Sequence, residues 1–90
     1  MLKVHAVMIR DEDEIKLWKL YRNVEDAYKE AKRMADEKET AIRRKFGSDY
    51  DCEVKRRDNT IMVLDKDDEI DNLYYDYYVR DYEVLPNYEG

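Results

Sequence analysis

From Val24 to Phe46 the chain runs for twenty-three residues without a glycine or proline. Val24, Ala27, Tyr28, Ala31, Met34, Ala35, Ala41, Ile42 and Phe46 recur in it at helical spacing. No other feature constrains the fold as tightly. Asn23 stands where an N-cap is wanted, Glu25 and Asp26 place negative charge at the positive end of the helix dipole, and Gly47 follows where a left-handed C-cap belongs. Such a helix is about 34 Å long, against about 17–20 Å for a typical strand. It must therefore cross a sheet diagonally or overhang it, and Lys38 interrupts the apolar stripe where the overhang would begin. The pairs Glu25/Lys29 and Glu39/Arg43 have the favourable acid-first order and mark an exposed side.

On both sides of this helix the pattern switches to a period of two. Leu2, Val4, Ala6 and Met8 alternate with Lys3 and His5, while Val7 and Ile9 make the other face partly apolar, which predicts a strand with a buried centre. Four consecutive acids, Asp11 to Glu14, break the pattern, and Ile15 to Tyr21 reads as the hairpin partner. Its register is open: strict alternation puts Ile15, Leu17 and Tyr21 with Lys19, and Trp18 and Leu20 with Lys16, so a bulge or a strand covered on both faces is required. Beyond Gly47, Tyr50, Cys52 and Val54 alternate with charged residues, a two-residue turn is predicted at Asp58-Asn59, and Thr60 to Leu64 returns. A polar connection, Lys66 to Asn72, leads to a long Tyr- and Val-rich strand, Leu73 to Leu85, which Pro86 stops; the tail Asn87 to Gly90 is dispensable. The order β-β-α-β-β-β predicts an α+β fold, an antiparallel sheet with one long helix packed on one face, in a single domain spanning residues 1–90.

The formal charge of −6 is unevenly spread. Residues 1–48 hold 12 basic and 10 acidic side chains, and residues 49–90 hold 5 and 13, so the halves carry +2 and −8. A phosphate backbone approaching the C-terminal half would be repelled, which argues against direct nucleic-acid binding there. One cysteine excludes an intramolecular disulfide, one histidine excludes a Cys/His metal constellation, and no apolar run has the length of a secretion signal or a membrane span. A cytoplasmic location without membrane contact is expected.

Residues able to carry chemistry are few. His5 could act as a general base only beside a nucleophile or a partner carboxylate, and the hydroxyls outside tyrosine are Thr40, Ser48 and Thr60. Cys52 alternates with strand residues and reads as a small buried hydrophobe. The spacing Asp65, Asp67, Glu69, Asp71 imitates the start of a calcium loop, but Ile70 replaces the required glycine and Asp76 the closing glutamate. No catalytic, cofactor-binding or metal-binding residue is assigned, and the chain reads as a non-enzyme without a cofactor.

Tyr74, Tyr75, Tyr77, Tyr78 and Tyr82 put five of nine tyrosines within nine positions. If Leu73, Tyr75, Tyr77 and Val79 face the helix, then Tyr74, Asp76, Tyr78, Arg80 and Tyr82 form an exposed row of aromatic and charged side chains, the composition of interface hot spots. A homodimer could cover the sheet face left bare, with Trp18, Leu20 and the outward tyrosines contributing an apolar patch and Tyr74, Tyr78 and Tyr82 meeting their counterparts across a two-fold axis.

The opening strand pair, the entry Asn-Val-Glu-Asp-Ala at 23 to 27 and the closing Tyr-Tyr-Val-Arg-Asp-Tyr-Glu-Val-Leu at 77 to 85 resemble small, acidic, uncharacterised proteins of bacteriophages and mobile elements. The resemblance implies a host-cell cytoplasm and a role against host defences, and it carries over no functional residue. Together with the tyrosine row it leads to the expectation of a small phage-type protein that binds and modulates or inhibits a host protein, one with a basic, nucleic-acid-binding surface toward which the acids steer it. Two alternatives stand beside it. One is a small-molecule or nucleotide-binding module in which tyrosines stack on a ring and Arg56, Arg57 or Arg80 meets an anion. The other is a partial DNA mimic whose carboxylates stand in for phosphates.

Overall fold

Ala27, Ala31 and Ala35, each one turn from the next, form a stripe with almost no side-chain height, so a helix carrying it can approach a sheet closely; all three are fully buried. The molecule, described by a computed structural model at residues 2–11, 14–65 and 73–84, contains β1 (Leu2–Asp11), β2 (Glu14–Tyr21), α1 (Val24–Phe46), β3 (Cys52–Arg57), β4 (Thr60–Asp65) and β5 (Leu73–Val84). The class is α+β, as the sequence predicts. The strands form one antiparallel sheet in the order β2-β1-β5-β4-β3, so the first and last strands are neighbours at its centre.

Helix α1 lies on one face and contacts every strand. Its alanine stripe and Ile42 pack on Val7, Cys52, Ile61, Val63, Tyr77 and Val79, with Tyr21, Tyr28, Met34, Tyr50 and Tyr75 closing the margins. Lys38 breaks the apolar stripe without leaving a gap, because its ammonium sits 4.0 Å from the centre of the Tyr75 ring. Asn23 caps the helix by accepting the Glu25 amide at 2.8 Å. At the other end the Gly47 amide donates to Arg43 O at 2.8 Å. Gly47 itself is at φ 120°, ψ 151°, an extended positive-φ conformation and not the left-handed helical one expected. Arg43 then donates to the carbonyls of Ser48 (3.0 Å) and Cys52 (2.6 Å), which ties the start of β3 to the helix.

The ambiguity in β2 resolves into a bulge. Val7 pairs with Lys19 and Met8 with Leu17, leaving Trp18 as the extra residue. By skipping Trp18 the strand puts Ile15, Leu17 and Leu20 on one face, opposite Arg10, Met8 and Ala6, and sends Lys16, Lys19 and Tyr21 to the helix side. The predicted turn between β3 and β4 is present: Arg57 pairs with Thr60, and Asp58 takes a positive φ of 54°. Asn59 extends the ladder toward β5, its side chain donating to Val79 O at 2.9 Å and its carbonyl accepting the Val79 amide at 3.1 Å. Among the described residues no helix is long and apolar enough to cross a membrane. The centre of the first acidic run, nearly all of the second, and the tail Asn87 to Gly90 lie outside the described residues.

Candidate functional site: the open face of the sheet

Each strand sends alternate side chains away from the helix, and together they form the sheet's second face. On β1 these are Val4, Ala6, Met8 and Arg10; on β5, Asp76, Tyr78, Arg80 and Tyr82; on β4, Thr60, Met62 and Leu64; on β3, Glu53, Lys55 and Arg57. With Ile15, Leu17 and Leu20 from β2 they make a surface whose apolar side chains are crossed by Arg10, Asp76 and Arg80, and no described element packs on it. Ile15, Leu17 and Leu20 are each more than half exposed, an unfavourable disposition for three aliphatic side chains standing side by side in water.

The tyrosine row separates as the alternation predicts, with Tyr75, Tyr77 and Val79 toward the helix and the even-numbered residues on the open face. Its members differ in depth. Tyr82 and Arg80 are exposed, with the guanidinium 5.4 Å from the Tyr82 ring centre. Tyr78 is half-buried at the centre, while the side chain of Tyr74 lies outside the described ones. Asp76, expected in an exposed row, is only 8% exposed. It is hemmed in by its register partners Arg10 on β1 and Met62 on β4. Its Oδ1 accepts no hydrogen bond among the described residues. Burial pushes this carboxyl above the ordinary aspartate range, and the positive charge of Arg10 opposes that shift without reversing it.

Two further expectations change. Trp18 does not join the open apolar patch: as the bulged residue it turns to the helix side, where its indole donates to Glu30 at 3.0 Å. Glu30 also accepts from Arg33, and the Arg33 hydrogen bond, more than that of Trp18, holds the Glu30 carboxyl down to about 2 against the opposing effect of burial. Of the acids flanking the tyrosines in sequence, two lie off the face that Tyr78 and Tyr82 share. Asp81 lies on the helix side, paired with His5 at 2.6 Å, and Glu83 shares that parity. Around Tyr78 and Tyr82 the described open face carries Arg10, Arg80, Lys55 and Arg57 against Asp76 and Glu53.

His5 thus has the partner carboxylate that sequence reading did not find, because Asp81 is 76 positions away. No serine, threonine or cysteine completes a nucleophilic set with it: Thr40 bonds its own helix at Asp36 O, Thr60 lies on the opposite face, and Cys52 is buried in the core. Burial pushes the Tyr77 hydroxyl up to about 12, so it stays protonated at neutral pH. Arg56, a proposed anion ligand, lies 4.6 Å over the Tyr28 ring beside Glu25, Lys29 and Lys32 in a groove of about 480 Å³. No family model, no curated protein and no solved structure matches this chain.

Proposed function

We propose that this chain is a binding protein that acts through association with another protein chain, and that the open face of the sheet is its docking surface. The observation that carries the reading is the apolar surface of Ile15, Leu17, Leu20, Met8, Tyr78, Tyr82, Met62 and Leu64, crossed by Arg10, Asp76 and Arg80, on a face against which no described element packs. Three devices sustain this surface at a cost to the isolated molecule. A bulge gathers the aliphatic residues of β2 on this side, the central strand presents its aromatics here, and a buried carboxylate sits among them with its Oδ1 unpartnered among the described residues. Aromatic and arginine side chains ringed by aliphatics are the anchors on which interface energies concentrate. The expectation that the protein modulates a host target becomes, in this reading, one candidate identity for what docks on the face.

The test uses the tagged protein as bait in a bacterial lysate and in solutions of itself, with Leu17→Asp as the control. Leu17 is more than half exposed, so the substitution leaves the core intact. Associations made through the open face are expected to be lost in Leu17→Asp and kept in Lys29→Asp, which alters the outer side of α1. Associations that survive Leu17→Asp unchanged would sink the reading.

A further inference from the structure

Asp76 is the least comfortable group among the described residues, since a carboxylate oxygen that has given up water and gained no donor costs free energy that an incoming cation or hydrogen-bond donor can recover. Arg10, its neighbour across the strand pair, makes no hydrogen bond to it among the described residues. The complementary group stands two same-face positions along the same strand: Arg80, exposed, beyond Tyr78. Along β5 the open face therefore reads acid, tyrosine, base. That sequence is self-complementary under one operation. A two-fold axis lying in the plane of the face, crossing β5 at Tyr78 at right angles to the strand, reverses β5 onto itself and lays each Arg80 over Asp76 of the other copy.

Resting on the reading of this face as a docking surface, we infer that its occupant is a second copy of the same chain, joined face to face with Tyr78 on the two-fold axis and two reciprocal Arg80–Asp76 ion pairs. The same operation sorts the other strands. On β2, Leu17 meets its own counterpart, and Ile15 meets Leu20. On β1, Met8 meets itself, and the long Arg10 lies over Ala6, the smallest side chain of the face and a fully buried one. Lys55 and Arg57 sit on the edge strand β3, where the twist between packed sheets carries the copies apart and leaves these cations in water. The extent is modest: the four strands other than β3, about 4.8 Å apart, and about 27 Å of β5 from position 74 to 82 give roughly 520 Å² per copy, or about 1,000 Å² in total, at the lower end for a specific interface.

Sedimentation equilibrium of the wild type and five variants tests this. The wild type is expected to be a dimer at micromolar concentration. Arg80→Asp and Asp76→Arg should each weaken it at least tenfold, by placing like charges together. An equimolar mixture of those two variants should form a heterodimer, because that combination alone restores an opposite charge at both reciprocal contacts. Should Asp76→Arg fail to fold, the exposed position decides: Arg80→Ala should dissociate the dimer and Arg80→Lys should retain it. A wild type that stays monomeric to near-millimolar concentration overturns the inference, as does a mixture of the charge variants that stays monomeric or a dimer indifferent to Arg80→Asp. A monomer whose capture of a different protein is lost in Leu17→Asp overturns the second-copy occupant and keeps the docking face; a dimer indifferent to both Arg80→Asp and Leu17→Asp overturns both.

Discussion

A carboxylate in the middle of an apolar sheet face makes the stability of this molecule depend on pH. The Asp76 carboxyl is pushed above its unfolded value, chiefly by burial and with Arg10 pulling the other way. A group raised on folding contributes its stability below the unfolded aspartate pKa of about 3.9, and that contribution is lost as the pH climbs through the raised folded value. Asp76→Asn, studied in the Arg80→Ala background so that dissociated chains are compared, should therefore raise the melting temperature at pH 7. The gain should vanish below about pH 3.5, where aspartate too is neutral. Thermal melts from pH 3 to pH 8 measure it, and an equal gain at every pH would contradict the account. Glu30 titrates with the opposite sign: held down to about 2, mainly by Arg33, it stabilises above the ordinary glutamate range and gives that up in strong acid.

At the scale of elements, β2 shows how much can be read from a sequence and where reading stops. The cap at Asn23, the helix bounds and the turn at Asp58-Asn59 follow from chemistry local to a few residues, and each is found where that chemistry puts it, whereas Gly47 ends the helix in a conformation other than the left-handed one expected. Alternation also assigned every described member of the tyrosine row to its face, but a period of two says nothing of depth, so the burial of Asp76 was invisible. Proximity in sequence misled in the same way, since Asp81 lies beside Tyr82 in the chain and on the opposite side of the sheet. In β2 the pattern was legible only to a reader willing to skip one position: without Trp18, residues 15, 17 and 20 alternate with 16, 19 and 21. Deleting Trp18 should accordingly preserve the fold and cost about 1–2 kcal/mol through the lost indole contact. One alanine inserted after Trp18 should cost distinctly more, because it drives Leu20 to the helix side. Urea unfolding of the two variants ranks them, and the reverse ranking would contradict the bulge.

For the molecule as a whole, the central pair of the sheet joins the two strands farthest apart in sequence, with residue partners such as Leu2 and Val84. Two local hairpins, β1-β2 and β3-β4, flank a seam that only β5 fills. A fragment ending at residue 65 should show no cooperative thermal transition, and addition of a separate peptide spanning Leu73–Val84 should create one, as circular dichroism can follow. A fragment that melts cooperatively by itself would show that β5 is an accessory. The same arrangement sets synthesis against assembly. A ribosome delivers both hairpins and the helix before it delivers the strand that unites them, so until then the edges of β1 and β4 stand open and the alanine stripe lacks the middle of its floor. The nascent fold passes through its most adhesive state just before β5 emerges, and its yield in a cell depends on how quickly that strand is released relative to how often two chains still lacking it meet.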